Sequence, residues 1–272
     1  MSQVHGKRVL QPAIDRRWKA VGDPGIDLPE WVGAAIASGA PAATLALPAP
    51  AMAPEALTAL AKRGLLELLD RLDAPVARLW AFLPRPTDRD GAGIERYMAF
   101  NAGRCAAYEE RHGGVTRIPA STCVGHAGDA LVLHALSLRE NPAPVENPRQ
   151  RPAWRYSERF GPVPPTFVRA ATAGGLLLAS GTASVVGEDS MHAGDIASQC
   201  AETERNLESL AAAGGAVGPW RCPQIYVRDE AHLDAVAAWA ARCFPGEPLR
   251  LLRAPLCRAD LLVEVEAVAD AR

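Results

Sequence analysis

The sequence predicts an α+β fold, and residues 167–268 carry most of that prediction. Strand-forming runs flank a turn at Gly174-Gly175. Two runs of helical period end in recognisable stops. The last run, Leu261 to Val268, alternates apolar and acidic side chains. The order reads β-β-α-β-α-β, which suits one antiparallel or mixed sheet with two helices on one face.

Residues 1–50 are weakly patterned, with short apolar runs between Gly, Asp and Pro. From Ala53 onward, Leu57, Leu60, Leu65, Leu68, Leu69 and Leu72 recur at spacings of three and four. That predicts an amphipathic helix, eased or interrupted at Gly64 and ended by Pro75. Val76 to Leu83 reads as a strand closed by Pro84 and Pro86. Gly93 to Glu110 reads as a second helix that stops before Gly113-Gly114. Ala130 to Leu138 is a further strand, followed by a proline-rich connection. Tyr156 to Phe167 holds Tyr, Phe and Arg among its prolines, so it reads as an ordered loop rather than a spacer.

Beyond the hairpin at Gly174-Gly175, Asp195 can cap a helix that runs to Ala213 and stops at Gly214-Gly215. Pro223 to Arg228 is a strand, Glu230 to Phe244 a helix, Leu249 to Leu252 a short strand and Leu261 to Val268 the last one. The earlier half gives α-β-α-β, a reduced version of the later half by element order alone. Two domains are therefore expected, residues 1–150 and residues 151–272.

Composition excludes several classes. Twenty-nine basic and 31 acidic residues leave a formal charge of −2, which argues against a nucleic-acid binder relying on a basic face. No stretch approaches the roughly 18–20 apolar residues of a spanning helix, and Trp31 to Met52 is broken by Pro41, Pro48 and Pro50. The first residues lack an apolar export segment. Six scattered cysteines form no C-x-x-C pair, which fits free thiols in a reducing cytoplasm. The histidines form no ligand-spaced pair, so a metal site is not expected.

The informative stretch for chemistry is Arg253 to Glu266. Alternation in a strand puts Leu262, Glu264 and Glu266 on one face and Leu261, Val263 and Val265 on the other. If Val263 and Val265 pack under helices, the two carboxyls face a cleft or interface. Crowding and burial would raise a carboxyl pKa there and make a general acid. The pattern fits a solvent-washed face equally well. Arg96, Arg104, Arg149, Arg155, Arg159 and Arg169 lie near Tyr97, Asn101 and Tyr156 in sequence. Guanidinium forks suit carboxylates, although single surface arginines are commonly solvated. Arg169 opens an apolar strand, where a charge needs a partner. Ser180 to Ser184 reads either as a turn at a strand end or as a close backbone approach to a ligand. No nucleophile elbow, Walker A or dinucleotide fingerprint occurs.

Longer motifs carry a resemblance. Glu95-Arg96-Tyr97 with Phe100-Asn101-Ala102-Gly103-Arg104 is similar to the ERYRxFNxGR motif of the chorismatase and 3-hydroxybenzoate synthase family. The likeness continues through Glu146 to Gln150, Tyr156, Phe160-Gly161-Pro162, Phe167, Arg169, Ser180 to Gly187 and His192 to Asp195. It closes with Cys257 to Glu266. The resemblance implies a YjgF-like fold, with a catalytic C-terminal domain, a degenerate N-terminal one and, as in YjgF-type deaminases, a homotrimer. It implies chorismate, a dicarboxylate with an enolpyruvyl ether, as substrate, and no cofactor. It makes Glu264 the acid that protonates the enolpyruvyl methylene so that pyruvate leaves. Cys257, seven positions earlier, would accompany formation of a hydroxybenzoate, 3-hydroxybenzoate over the 4-isomer, where alanine accompanies hydrolysis to a dihydroxycyclohexadiene carboxylate. Arg96, Arg104, Tyr156, Arg169, Gly181, Thr182 and Glu266 would bind the substrate. A buried inert thiol is the other reading of Cys257. A dihydrodiol-forming chorismatase, or a deaminase-like or ligand-binding protein on the same scaffold, are the other readings of the whole.

The chain also departs from the family pattern. Trp154 and Ser157 stand where Tyr and Pro are expected, Glu188 where His is expected, and the last strand ends Glu266-Ala-Val-Ala in place of Glu-Gly.

Overall fold

The computed structural model describes residues 19–20 and 28–272. Its elements run in chain order β1 (Lys19–Ala20), α1 (Glu30–Ala37), β2 (Ala42–Pro48), α2 (Pro54–Asp70), β3 (Arg78–Phe82), α3 (Arg96–His112), β4 (Ala120–Val124), β5 (Ala130–Leu136) and β6 (Ala143–Val145). There follow β7 (Ala170–Ala173), β8 (Leu176–Ala179), β9 (Thr182–Ala183), β10 (Val185–Val186), β11 (Asp189–Ser190), α4 (Ile196–Ala213), β12 (Arg221–Val227), α5 (Leu233–Cys243), β13 (Arg250–Arg253) and β14 (Val263–Asp270).

Two mixed sheets result. The smaller has the order β2-β5-β3-β4. The larger has the order β1-β13-β12-β14-β8-β7-β6, with β9 also paired to β14. Helices α2 and α3 cover the smaller sheet through Leu57, Leu65, Leu68, Phe100 and Tyr108, packed on Leu79, Ala81 and Leu133. Helices α4 and α5 cover the larger one through Leu207, Leu210, Val236 and Trp239, packed on Ile225, Val263 and Val265. The opposite faces meet each other, Trp80, Phe82 and Val132 against Ala183, Tyr226, Leu252 and Leu261. Alternation along each strand thus sends one set of side chains to the helices and the other set between the sheets.

The hairpin predicted at Gly174-Gly175 is β7–β8, and both glycines adopt the left-handed conformation that the turn requires. Asp195 caps α4 by accepting from the Ser198 amide at 3.1 Å. Helix α3 ends at Gly113, again left-handed. Two expectations need correction, and two strands were not foreseen. Helix α2 runs unbroken through Gly64, where a Cβ would come within 2.5 Å of Leu47 Cδ1, so the glycine serves close packing on β2. The first half is β-α-β-α-β-β over residues 42–136 rather than α-β-α-β. Strand β4, missed in the sequence, is five buried residues of mixed polarity, Ala-Ser-Thr-Cys-Val, with no apolar alternation to reveal it. Strand β2 also went unseen, because its small residues make a weakly patterned edge.

Candidate active site

The last strand decides the site. Val263 and Val265 turn toward α4 and α5, so Glu264 and Glu266 point between the sheets, 4% and 3% exposed. The solvent-washed alternative is therefore wrong. The reason is the second sheet, which covers what would otherwise be an open face.

The two carboxyls have opposite surroundings. Glu266 accepts from Arg78 Nη2 (2.5 Å), Trp80 Nε1 (2.7 Å), Thr122 Oγ1 (3.2 Å), Gln224 Nε2 (3.1 Å) and the Tyr226 hydroxyl (2.5 Å). Burial lowers the Arg78 pKa and the Glu266 charge beside it counters that. Such saturation compensates a buried charge. Glu264 accepts no hydrogen bond from any of the described residues. Burial, with the neighbouring Glu266 charge second, pushes its carboxyl up to about 8, against the pull of Arg78, Arg258 and Arg169. At neutral pH it retains its proton.

Glu264 opens into a pocket of about 70 Å³ whose wall includes Tyr97, Tyr156, Phe167, Arg169, Cys257 and Arg258. Gly181 forms the ledge above the acid. A Cβ there would lie 1.9 Å from Glu264 Oε1, so the close backbone approach anticipated at Ser180 to Ser184 is to the catalytic candidate itself. Ser180 fixes that ledge by accepting from the Ser121 amide (2.8 Å) and donating to the Val168 carbonyl (2.6 Å).

Arg169 Nη2 donates to the Tyr156 hydroxyl (2.5 Å) and the Arg151 carbonyl (2.9 Å), and its Nε, buried, has no partner among the described residues. Cys257 lines the pocket, and burial, with Glu264 next, pushes its thiol up to about 12, so it is a neutral wall rather than a nucleophile.

Other predicted site residues lie elsewhere. Arg96 spends its guanidinium on the carbonyls of Pro84, Pro50 and Ala49, tying the start of α3 to the end of β2. Arg104 is fully buried, bonded to Asn101 Oδ1 at 2.8 Å and stacked on Phe100 and Phe167, behind the pocket wall rather than in it. Thr182 donates to the Ser180 carbonyl and pairs with Val265, and Glu266 is occupied by its cage; neither lines the pocket. Of the other clustered arginines, Arg149 pairs with Glu202, Arg159 with Asp189 and Glu188, and Arg155 stacks on Trp154.

Sequence reasoning overlooked Arg258 and Tyr97 as site residues. Arg258 stacks on Tyr156 and Phe160 and donates to the Glu188 carbonyl at 2.8 Å. Its position beside Cys257 was the available signal. Tyr97 follows Arg96, and helical geometry turns it toward the pocket while Arg96 turns away; burial, with Cys257 next, raises its phenol pKa well above the usual value.

A family model described as "Chorismatase FkbO/Hyg5-like, N-terminal" matches residues 37–137. The chain is 34% identical to a 3-hydroxybenzoate synthase of Streptomyces hygroscopicus over 75% of its own length and 66% of that protein's. It is 31% identical to a chorismatase of Streptomyces rapamycinicus over 78% of its own length and 69% of that protein's. The chain thus spans about two thirds of the length of these relatives. A chorismatase crystal structure superposes with a TM-score of 0.74 at 27% identity, covering 84% of this chain and 74% of that one. With that identity and coverage, and the motif series in order along the strands that build the pocket, the chain belongs to the chorismatase family.

Proposed function

We propose that the chain cleaves the enolpyruvyl ether of chorismate, releasing pyruvate and a hydroxybenzoate, 3-hydroxybenzoate in preference to the 4-isomer. The observation that carries the reading is Glu264, a buried carboxyl that accepts no hydrogen bond among the described residues and lines a pocket bearing two guanidinium groups.

Arg169 and Arg258 hold the substrate carboxylates as charge-assisted pairs, with the Arg169 Nε free to complete one. Glu264 gives its proton to the enolpyruvyl methylene carbon, and the ether carbon becomes oxocarbenium-like. The resulting Glu264 carboxylate balances that charge in a site of low polarity. Tyr156, Phe160, Phe167 and Cys257 keep bulk water from the cation, so the ring hydroxyl attacks it. The hydroxyl proton passes to the Glu264 carboxylate as the cyclic ketal forms; the ring carbon then releases that oxygen as the neighbouring ring C–H gives up its proton, the ring becomes aromatic, and collapse of the resulting hemiketal frees pyruvate. That route consumes no water, whereas the dihydrodiol route consumes one. The chemistry asks for no metal or cofactor and fits a cytoplasmic metabolic enzyme.

Incubation with chorismate and separation of the products test this reading. Equimolar pyruvate and 3-hydroxybenzoate are expected, and Glu264→Gln is expected to abolish both while unfolding at a similar temperature. A wild-type protein that leaves chorismate intact, or an active Glu264→Gln variant, contradicts it.

A further inference from the structure

Ser157 and Glu188, two positions where the sequence departs from what the resemblance leads one to expect, meet in space. Ser157 donates to the Glu188 carboxylate through its amide (3.0 Å) and its hydroxyl (2.6 Å). These two bonds, the hydroxyl first, hold the Glu188 carboxyl down at about 2. The proline expected at position 157 has no N–H to give, so the amide bond depends on this departure. Arg151 and Arg159 reach the same carboxylate at 3.0 and 3.2 Å from exposed positions, where solvent screens them.

What this carboxylate fastens is the outer wall of the pocket. Tyr156 and Phe160 flank Ser157 within the turns at Ala153–Arg155 and Glu158–Phe160, and both line the cavity. The Glu188 main-chain carbonyl accepts from Arg258 Nη1, whose guanidinium lies over the Tyr156 and Phe160 rings at 5.2 and 4.2 Å. A single residue therefore grips the aromatic turn with its side chain and the pocket arginine with its backbone. Glu188 does not itself line the cavity.

We propose that Glu188 and Ser157 form a positioning pair that keeps the Tyr156–Phe160–Arg258 wall shut against water and thereby directs the cation toward ring-hydroxyl attack. The proposal rests on the chorismate reading. It makes product choice depend on a clasp outside the pocket as well as on the Cys257 wall within it. A loosened clasp leaves Glu264 in place, so proton transfer continues, but water then competes for the cationic carbon.

The test compares wild type with Ser157→Ala, Glu188→Gln, Glu188→Asp and the Ser157→Ala/Glu188→Gln double variant. Amide hydrogen exchange over residues 156–160 is expected to quicken in Glu188→Gln with little change in melting temperature. With chorismate, kcat/KM is expected to fall about 10-fold, the scale of a lost charge-assisted hydrogen bond, and mainly through KM. The product is expected to shift from the arene toward the dihydroxycyclohexadiene carboxylate. Glu188→Asp should recover part of both effects, and the double variant should be little worse than either single one. Unchanged exchange in Glu188→Gln overturns the clasp whatever the substrate proves to be. Faster exchange with an unchanged product ratio and KM, or a wild-type enzyme that forms only the water adduct, overturns its role in product choice. A wild-type protein inert toward chorismate defeats the reaction assignment instead, and the exchange comparison still decides whether the clasp exists.

Discussion

Glu264 and Glu266 share a strand, a face and near-complete burial, yet one is an acid and the other an anchor. Donor supply explains the difference. Five donors converge on Glu266, whereas none of the described residues donates to Glu264, which faces the pocket and Gly181. The missing Cβ at Gly181 is as much a part of the acid's setting as the arginines. Gly181→Ala should force the Glu264 carboxyl aside, because the added carbon would sit 1.9 Å from Oε1. A displacement of about 1 Å of a reacting group costs on the order of 100-fold in rate, and turnover of chorismate by the purified variant reads it directly. Wild-type turnover would show that the ledge has slack. At this scale the sequence revealed the alternation that pairs the two glutamates. It could not reveal their division of labour, because Arg78, Trp80, Thr122, Gln224 and Tyr226 come from strands far apart in the chain.

Among elements, those with strong local signals were legible and those made by tertiary context were not. Helix α4 has a capping Asp195 and a terminal glycine, and β7–β8 has its Gly174-Gly175 turn, so each appeared in the sequence near its true bounds. Strand β4 is bounded by Pro119 and Gly125 but has no apolar period, and β3 pairs with it in parallel over five residues. The same holds for the arginines of α3. Helical geometry turns Tyr97 to the cavity, commits Arg96 to the carbonyls ending β2 and buries Arg104 behind the wall. Helix α3 can lie so close to α2 because position 103 is glycine. A Cβ there would fall 2.3 Å from the Thr58 carbonyl, beside the bond from Thr58 Oγ1 to the Ala99 carbonyl. Gly103→Ala should therefore cost about 1–3 kcal/mol of stability through overpacking. Chemical denaturation would show the loss as a lower midpoint, and an unchanged midpoint would mean that the helices separate freely.

Over the whole molecule, the two halves enclose the chemistry between them. The larger sheet brings Glu264, Gly181, Arg169 and Arg258, while Tyr97 comes from α3 of the smaller half and the Glu266 cage draws Arg78 and Trp80 from β3. The sequence indicated the α+β class and the family; of the arginines it singled out, Arg169 lines the pocket and the others do not. It did not indicate that the halves face each other, and that arrangement is what buries the acid. The central claim is that this enclosure keeps a carboxyl protonated at neutral pH until substrate takes the proton. Measuring kcat/KM for chorismate cleavage across pH 5–10 tests it most directly. A carboxyl raised to about 8 in the free protein is active in its protonated form, so kcat/KM should hold at low pH and fall as pH rises through about 8. A rate that instead rises with pH through this range, or stays level across it, would contradict the assignment of Glu264 as the proton donor.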